Sequence, residues 1–368
     1  MKRILHVVGA RPNYMKIAPL VRAMAGHTDE FMQMLVHTGQ HYDDNMSQIF
    51  FDELEMPRPD INLEVGSGSH AQQTAHVMFR FEPLLAQFQP DWVIVPGDVN
   101  STLACALVAA KAGIKVAHVE AGLRSFDRTM PEEINRVLTD QIADLLLTTS
   151  RDADENLARE GIAPEKIHFV GNTMIDTLVR LVPLAEKRWP SLRDDLHLDR
   201  FVLVTLHRPN NVDSAEGLRE IVSALNEISD ELPVIFPVHP RTRARIAEFG
   251  VTVRESVRLV EPVGYVDFLA LQAHAALVVT DSGGVQEETT FLGVPCLTVR
   301  PNTERPVTIN TGTNKLVEKN RNEIVRSIRE ALARPRDSPK QCPELWDGKT
   351  AERIVALFRG LRADLRTS

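Results

Sequence analysis

Short apolar runs rich in Val, Ile and Leu alternate with amphipathic segments from one end of the chain to the other. Runs with no polar face suit strands buried on both sides of a parallel sheet, and the amphipathic segments between them suit the crossover helices that join such strands. In the first half the predicted strands are Ile4–Val8, Met32–His37, Trp92–Val95, Val116–Val119, Leu145–Thr148 and Ile167–Val170, with helices such as Tyr14–Met24, Ser101–Lys111, Pro131–Ala143 and Ala153–Glu160 between them. The pattern then restarts with strands at Phe201–Thr205, Val234–Pro237, Arg258–Val260, Leu277–Thr280 and Cys296–Val299, and helices near Ala215–Asp230, Val266–Ala273 and Val285–Phe291. This predicts an α/β protein of two Rossmann-like, doubly wound domains facing a central cleft.

The crossover is expected near Gly171–Asn172, giving an N-terminal domain over 1–172 and a C-terminal domain over 173–349, whose approach is marked by the polar segment Pro190–Asp199. The final helical stretch, Thr350–Leu365, follows the Pro-rich segment Pro335–Pro343 and is expected to pack back on the first domain. A length of 368 residues favours two domains, because single cores stop growing near that size. No repeat with the period of a solenoid is present.

Composition narrows the function classes. The chain is 43% hydrophobic and 25% charged, ordinary values for a folded α/β protein. Its net charge of -8 is spread through interleaved acids and bases, which disfavours a nucleic-acid surface. Cys105, Cys296 and Cys342 are too few and too scattered for a disulfide framework or a thiolate metal site and read as reduced thiols. With no long apolar stretch and a strand pattern starting in the first residues, the expectation is a cytoplasmic protein that does not span a membrane.

Candidate chemistry gathers where strands end, the place at which open α/β sheets bind ligands. The first strand runs into Gly9-Ala10-Arg11-Pro12-Asn13 and a helix carrying Lys16, putting two cations beside a helix N-terminus, an arrangement suited to an anion. The turn lacks G-x-G-x-x-G and gives no support for a nicotinamide dinucleotide. Asp98 follows the third predicted strand and Glu120 ends the fourth, at the same sheet edge; Glu132 lies just after Pro131, which opens a helix. Taken singly, Glu132 and Glu133 read as acids suiting the helix dipole, but three acids converging on one edge point to proton transfer. Arg136, four residues on from Glu132, is expected to hold that carboxylate.

In the second half the strand Leu277–Thr280 ends in Asp281-Ser282-Gly283-Gly284 as a helix begins, which reads as a diphosphate cradle. Thr303-Glu304-Arg305-Pro306 offers Arg305 for bidentate phosphate contact, and Thr205-Leu206-His207-Arg208 places His207 at another strand end.

These strings, together with His37-Thr38-Gly39-Gln40-His41, His118-Val119-Glu120-Ala121-Gly122-Leu123-Arg124, Pro131-Glu132-Glu133-Ile134-Asn135-Arg136 and Val285-Gln286-Glu287-Glu288, occur in order over nearly the whole chain. In them the sequence resembles the non-hydrolysing UDP-N-acetylglucosamine 2-epimerases. The resemblance implies a glycosyltransferase-B-like pair of Rossmann domains, the second binding UDP. It implies elimination of UDP to a bound 2-acetamidoglucal and re-addition on the other face, without a cofactor or a metal. Carried over position by position, Asp98, Glu120 and Glu132 form the acid/base set. His207 counts both with the catalytic groups and with the nucleotide contacts. Arg11, Lys16, Arg136, Ser282, Gly283, Gly284 and Arg305 fall to substrate and diphosphate, Glu288 to the ribose and Phe268 to the neighbourhood of the uracil. A homodimer, with no membrane or nucleic-acid partner, is the implied state.

Departures from the family pattern bear on specificity. Where many bacterial members bind a second UDP-sugar as activator, this chain carries Gln40-His41-Tyr42-Asp43 and Gln72-Gln73, an acid and an amide in place of groups suited to a diphosphate, which puts that regulatory site in doubt. Val99 replaces the usual threonine after Gly97-Asp98. The string from His37 to Met46 also resembles the 2-epimerases of UDP-2,3-diacetamido-glucuronic acid, so the substituents at C3 and C6 stay open. A hydrolysing 2-epimerase and a glycosyltransferase share the fold and remain the alternatives.

Overall fold

A computed structural model describes residues 1–39, 58–334 and 342–361, apart from the side chain of Arg11. The chain divides into two compact units, Met1–Leu178 with Glu344–Ser368, and Val179–Pro343.

Unit 1 holds a seven-stranded sheet. Its strands are β1 (Lys2–Val8), β2 (Phe31–His37), β3 (Ile61–Asn62), β4 (Trp92–Pro96), β5 (Lys115–Ala121), β6 (Leu145–Thr148) and β7 (Ile167–Phe169), in the order β3-β2-β1-β4-β5-β6-β7. All neighbours are parallel, and β1 pairs with β2 from Lys2↔Phe31 to Val8↔His37. Helices α1 (Arg11–Ala25), α2 (His70–Phe88), α3 (Asn100–Lys111), α4 (Pro131–Ile142) and α5 (Arg151–Arg159) join or follow the strands. Leu5, Val7, Val93 and Val95 pack with Phe81, Leu84 and Cys105 in one core. Sequence order reverses between β1 and β4, so the loops after these two strands flank the switch point where such sheets open a crevice.

The helix α14 (Thr350–Gly360) belongs to unit 1. Asp176 accepts the N–H groups of Thr350 and Ala351 at 3.1 and 2.7 Å, supplying the cap that Lys349 lacks. Phe358 sits edge-on to Trp92, ring centroids 5.3 Å apart.

Unit 2 repeats the architecture with β8 (Val202–Thr205), β9 (Val234–Pro237), β10 (Val257–Val260), β11 (Leu277–Thr280), β12 (Cys296–Val299) and β13 (Asn314–Val317), ordered β10-β9-β8-β11-β12-β13 and parallel throughout. Alternate residues of β8 feed two cores: Val202 and Val204 pack with Leu218, Ile221 and Ile324, and Leu203 packs with Leu271 and Val285. Covering on both faces is what made these strands continuous apolar runs. The helices of this unit that matter below are α7 (Pro209–Val212), α10 (Tyr265–His274) and α11 (Gly283–Leu292); α8 (Ala215–Ile228), α9 (Pro240–Glu248), α12 (Val307–Asn310) and α13 (Arg321–Leu332) complete it.

Helix α6 (Thr173–Asp195) runs through Pro183 and Pro190, so the polar segment from Pro190 begins within a helix. A proline removes one helical hydrogen bond, and packing compensates here, with Leu178, Leu181 and Ala185 buried and Trp189 stacked on Phe201 at 6.1 Å. Among the described residues no helix is long and apolar enough to cross a membrane.

Candidate active site

The switch point of unit 1 is built from the loops after β1, β4 and β5. Asn13, in the first turn of α1, accepts the N–H groups of Gly9 and Ala10 at 3.2 and 3.0 Å and donates to Pro96 O at 3.2 Å, joining the ends of β1 and β4. One turn further along α1, Lys16 Nζ lies 2.8 Å from Glu120 Oε2, both side chains buried. Gly97 makes room for it: with φ +65°, a Cβ there would fall 2.8 Å from Lys16 Nζ.

Glu120 has φ +71°, and the β5–β6 register shifts between Val119 and Ala121. A left-handed backbone costs a non-glycine residue about 1–2 kcal/mol. Such an outlier persists where the surroundings enforce it, and functional sites are where outliers cluster. The bulge re-aims a carboxylate at the end of a buried strand.

Helix α4 supplies the rest. It opens at Pro131 with Glu132 and Glu133 in its first turn, acids that suit the positive end of the dipole. Arg136 Nε and Nη2 donate to Asp98 Oδ2 at 3.0 and 2.7 Å, and its Nη1 donates to Glu133 Oε2 at 2.6 Å. Asn135 donates to the Asp98 carbonyl at 2.9 Å. The expected Glu132–Arg136 pair is therefore not formed. Glu133, on the buried side of the helix, takes the arginine and also accepts from the N–H groups of Ser125 and Phe126 at 2.9 Å. Glu132 is half-buried and carries no ion pair or hydrogen bond to a described residue. Of two adjacent acids, one builds the loop and the other has no partner among the described residues.

In unit 2 the sequence order reverses between β8 and β11, and Asp281, fully buried at the end of β11, ties the two strand ends together. Its carboxylate accepts the N–H of His207 at 3.1 Å and of Arg208 at 2.9 Å, and Asn211 Nδ2 at 3.1 Å. His207 Nδ1 lies 3.2 Å from Asp281 Oδ1, which orients the ring. Although the side chain is half-exposed, loss of water around the ring lowers its pKa. Asp281 acts in the opposite sense, while Arg208, His239 and Arg300 push it further down. A neutral imidazole at neutral pH follows, able to accept or donate a hydrogen bond.

Helix α11 begins at Gly283 with Ser282 at its N-cap and no acid in its first turn. Arg305 is buried against this start: its Nε lies 3.0 Å from Glu287 Oε1, its Nη1 contacts Glu304 Oε1, and a Cβ on Gly283 would fall 2.4 Å from Nη1. Gly283 thus gives the arginine its seat as well as opening the helix. Arg300 pairs with Glu304 Oε2 at 2.8 Å. Glu288 is buried, accepting Tyr265 Oη–H at 2.8 Å and Gln272 Nε2–H at 2.7 Å on its two oxygens. Phe268 is partly buried on α10 against the second core.

Comparison with known proteins bears on this arrangement. A family model described as UDP-N-acetylglucosamine 2-epimerase matches residues 23–359. The chain belongs to the UDP-N-acetylglucosamine 2-epimerase family. A UDP-N-acetylglucosamine 2-epimerase of Methanocaldococcus jannaschii is 44% identical over 96% of this chain and 97% of its own. A UDP-2,3-diacetamido-2,3-dideoxy-D-glucuronate 2-epimerase of Pseudomonas aeruginosa is 42% identical over 97% and 99%. The crystal structure of the M. jannaschii enzyme in complex with UDP-GlcNAc and UDP superposes with a TM-score of 0.89 at 44% identity, covering 98% of this chain and 99% of that one.

Of the residues that the family resemblance singled out, unit 1 pairs Lys16 with Glu120 and Arg136 with Asp98, with Glu132 at the start of the same helix as Arg136. Unit 2 carries His207, Ser282, Gly283, Gly284 and Arg305 at the ends of β8 and β11 and in the loop after β12, with Glu288 and Phe268 on the adjoining helices. Arg11 is the first residue of α1. Gln40-His41-Tyr42-Asp43 lies outside the described residues. The sequence reading gave no role to Asn13, Asn135, His118, Asp140, Tyr265 and Gln272. The one signal for them is polarity inside buried elements, since a buried polar side chain needs a partner.

Proposed function

We propose that this 2-epimerase inverts C2 of UDP-N-acetylglucosamine, giving UDP-N-acetylmannosamine, by elimination and re-addition of UDP. A carboxylate takes the proton from C2, the C–H electron pair becomes the C1=C2 bond, and the C1–O bond breaks with its electrons leaving on UDP. UDP then adds back to C1 as a proton returns to the opposite face of C2. Electrons balance without an external oxidant, so the step calls for no nicotinamide.

The observation that carries this reading is the group of Asp98, clamped by Arg136, the Lys16–Glu120 pair and Glu132, which has no partner among the described residues, on unit 1. Carboxylates set among cations serve proton transfer. Charge on the departing UDP grows in the transition state, and Arg305 and the N–H groups at the start of α11 are donors suited to it; one such donor is worth roughly 3–4 kcal/mol. His207, neutral with Nδ1–H toward Asp281, offers Nε2 as an acceptor. Glu288 and Phe268 are assigned to ribose and uracil, and Arg11 to the diphosphate. The homodimer implied by the family is part of the same reading, checked by light scattering.

A second reading is favoured by the 42% identity to the P. aeruginosa relative: the same inversion on UDP-2,3-diacetamido-2,3-dideoxy-D-glucuronate. NMR of each UDP-sugar with the protein in deuterated water, with no acceptor and no nicotinamide, decides between them. The productive substrate acquires one deuterium at C2 as it epimerises. Product carrying only protium at C2 rejects the mechanism, and release of free sugar as the main product makes the enzyme hydrolysing.

A further inference from the structure

His118 and Asp140 have no part in the reading above, yet both are fully buried beside the residues that do. His118 Nε2 lies 2.7 Å from the Gly97 carbonyl oxygen, and Nδ1 lies 2.6 Å from Asp140 Oδ1. A carbonyl only accepts, so Nε2–H donates to Gly97. The other oxygen of Asp140 accepts Gly122 N–H at 3.1 Å and pairs with Arg124 Nη1 at 2.7 Å. Burial works against charge on Asp140, but His118 and Arg124 outweigh it and hold the carboxyl below its ordinary pKa.

Two consequences follow for the backbone. Gly97 N–H donates to Val119 O at 2.9 Å, so with the His118 contact the Gly97 residue is tied to β5 through both its N–H and its C=O, and the next residue is Asp98. Along β5 and just past its end, Asp140 binds the His118 ring and the Gly122 N–H, which bracket Glu120 and its left-handed backbone.

We propose that the Asp140–His118 pair is a positioning device that fixes Asp98 and Glu120 relative to one another by clamping Gly97 on one side and the Glu120 bulge on the other. This rests on the reading that Asp98 and Glu120 serve the C2 proton transfers. Neither His118 nor Asp140 touches substrate in this account. Their removal leaves the binding groups of unit 2 in place and degrades only the geometry of the reacting pair.

The test is steady-state kinetics with UDP-N-acetylglucosamine on Asp140→Asn, His118→Phe and His118→Gln, with UDP affinity by calorimetry and Tm for each. Misplacing a reacting group by about 1 Å costs roughly 10²-fold in rate, so Asp140→Asn and His118→Phe are expected to lose about that much kcat with KM and UDP affinity within about twofold. His118→Gln, which keeps an N–H for Gly97, is expected to recover part of the loss. If His118→Phe does not fold, the isosteric Asp140→Asn carries the comparison. A lower Tm with wild-type kcat in Asp140→Asn overturns the proposal and leaves the pair as core structure. Asp98→Asn and Glu120→Gln run alongside: near-normal turnover in both means that the underlying reading has failed, and loss in both beside a normal Asp140→Asn means that only the positioning role has failed.

Discussion

Lys16 Nζ stands 2.8 Å from Glu120 Oε2 with the two side chains 5% and 2% exposed, so the lysine's charge is compensated by a carboxylate in a place that water hardly reaches. Deleting one partner of such a pair strands the other, at a cost of about 3–5 kcal/mol, whereas replacing both with apolar groups is often neutral. Glu120→Leu is expected to lower urea stability by that amount, and Glu120→Leu with Lys16→Met to recover most of it. Both proteins are expected to be inactive. A double variant no more stable than Glu120→Leu contradicts this account of the pair.

The seat of Arg305 gives a second expectation. Arg305→Ala is expected to weaken UDP binding by about 10–100-fold, the loss of a charged hydrogen-bond donor at roughly 1.5–3 kcal/mol. Arg305→Lys is not expected to restore it, because a lysine cannot reproduce the planar fork that reaches Glu287 and Glu304 together. Gly283→Ala is expected to resemble Arg305→Ala, since its Cβ would displace the guanidinium. Calorimetry with UDP measures all three, and unchanged affinity in Arg305→Ala removes the arginine from the cradle.

His6, fully buried on β1, shares a 2.9 Å hydrogen bond with Gln33 through Nε2, and its Nδ1 has no partner among the described residues. Burial lowers its pKa from 6.5 to about 4, against a smaller upward pull from Gln33. Above pH 6.5 both folded and unfolded chains hold it neutral. Below that the unfolded chain takes up the proton first, so stability is lost as pH falls toward 4 and levels off beneath it, by about 3 kcal/mol in all. His6→Gln keeps a donor for Gln33 and removes the titration. The difference in unfolding free energy between wild type and variant is expected to change across that window, and a constant difference overturns the assignment.

Much of the fold was legible because strands covered on both faces leave unbroken apolar runs: Leu145–Thr148, Leu277–Thr280 and Cys296–Val299 match their predicted bounds. The strand Ile61–Asn62 is too short to leave such a signal, and Asn314–Val317 breaks its run with Asn314 and Lys315. Asp98, Glu120 and Lys16 were visible as polar residues at strand ends or one helical turn later. The division of labour between Glu132 and Glu133 was not, because neighbours on a helix differ only in which face the tertiary packing buries. Nor was the contact of His118 with Asp140, 22 residues apart on a strand and a helix, since their meeting depends on how α4 lies over β5.

That division sets the last expectation. Glu133 accepts from Ser125, Phe126 and Arg136, so Glu133→Gln is expected to act by loosening the loop after β5, lowering Tm together with activity. Glu132 has no described partner to lose, so Glu132→Gln, which keeps the side chain's size and shape, is expected to leave Tm within about 1 °C. Its turnover is nevertheless expected to fall by about 10²–10⁴-fold, the typical contribution of a general acid or base. Asp98→Asn and Glu120→Gln are expected to fall as far, while UDP affinity changes less than in Arg305→Ala. The elimination half can be read separately with oxygen label in the bridge between C1 and the β-phosphorus, which scrambles into the non-bridging β-phosphate positions if the diphosphate turns while bound. A variant that scrambles label but makes no epimer has lost the proton delivered to the opposite face; one that does neither has lost the first abstraction. Glu132→Gln with normal turnover takes Glu132 out of the acid/base set and leaves the chemistry to Asp98 and Glu120.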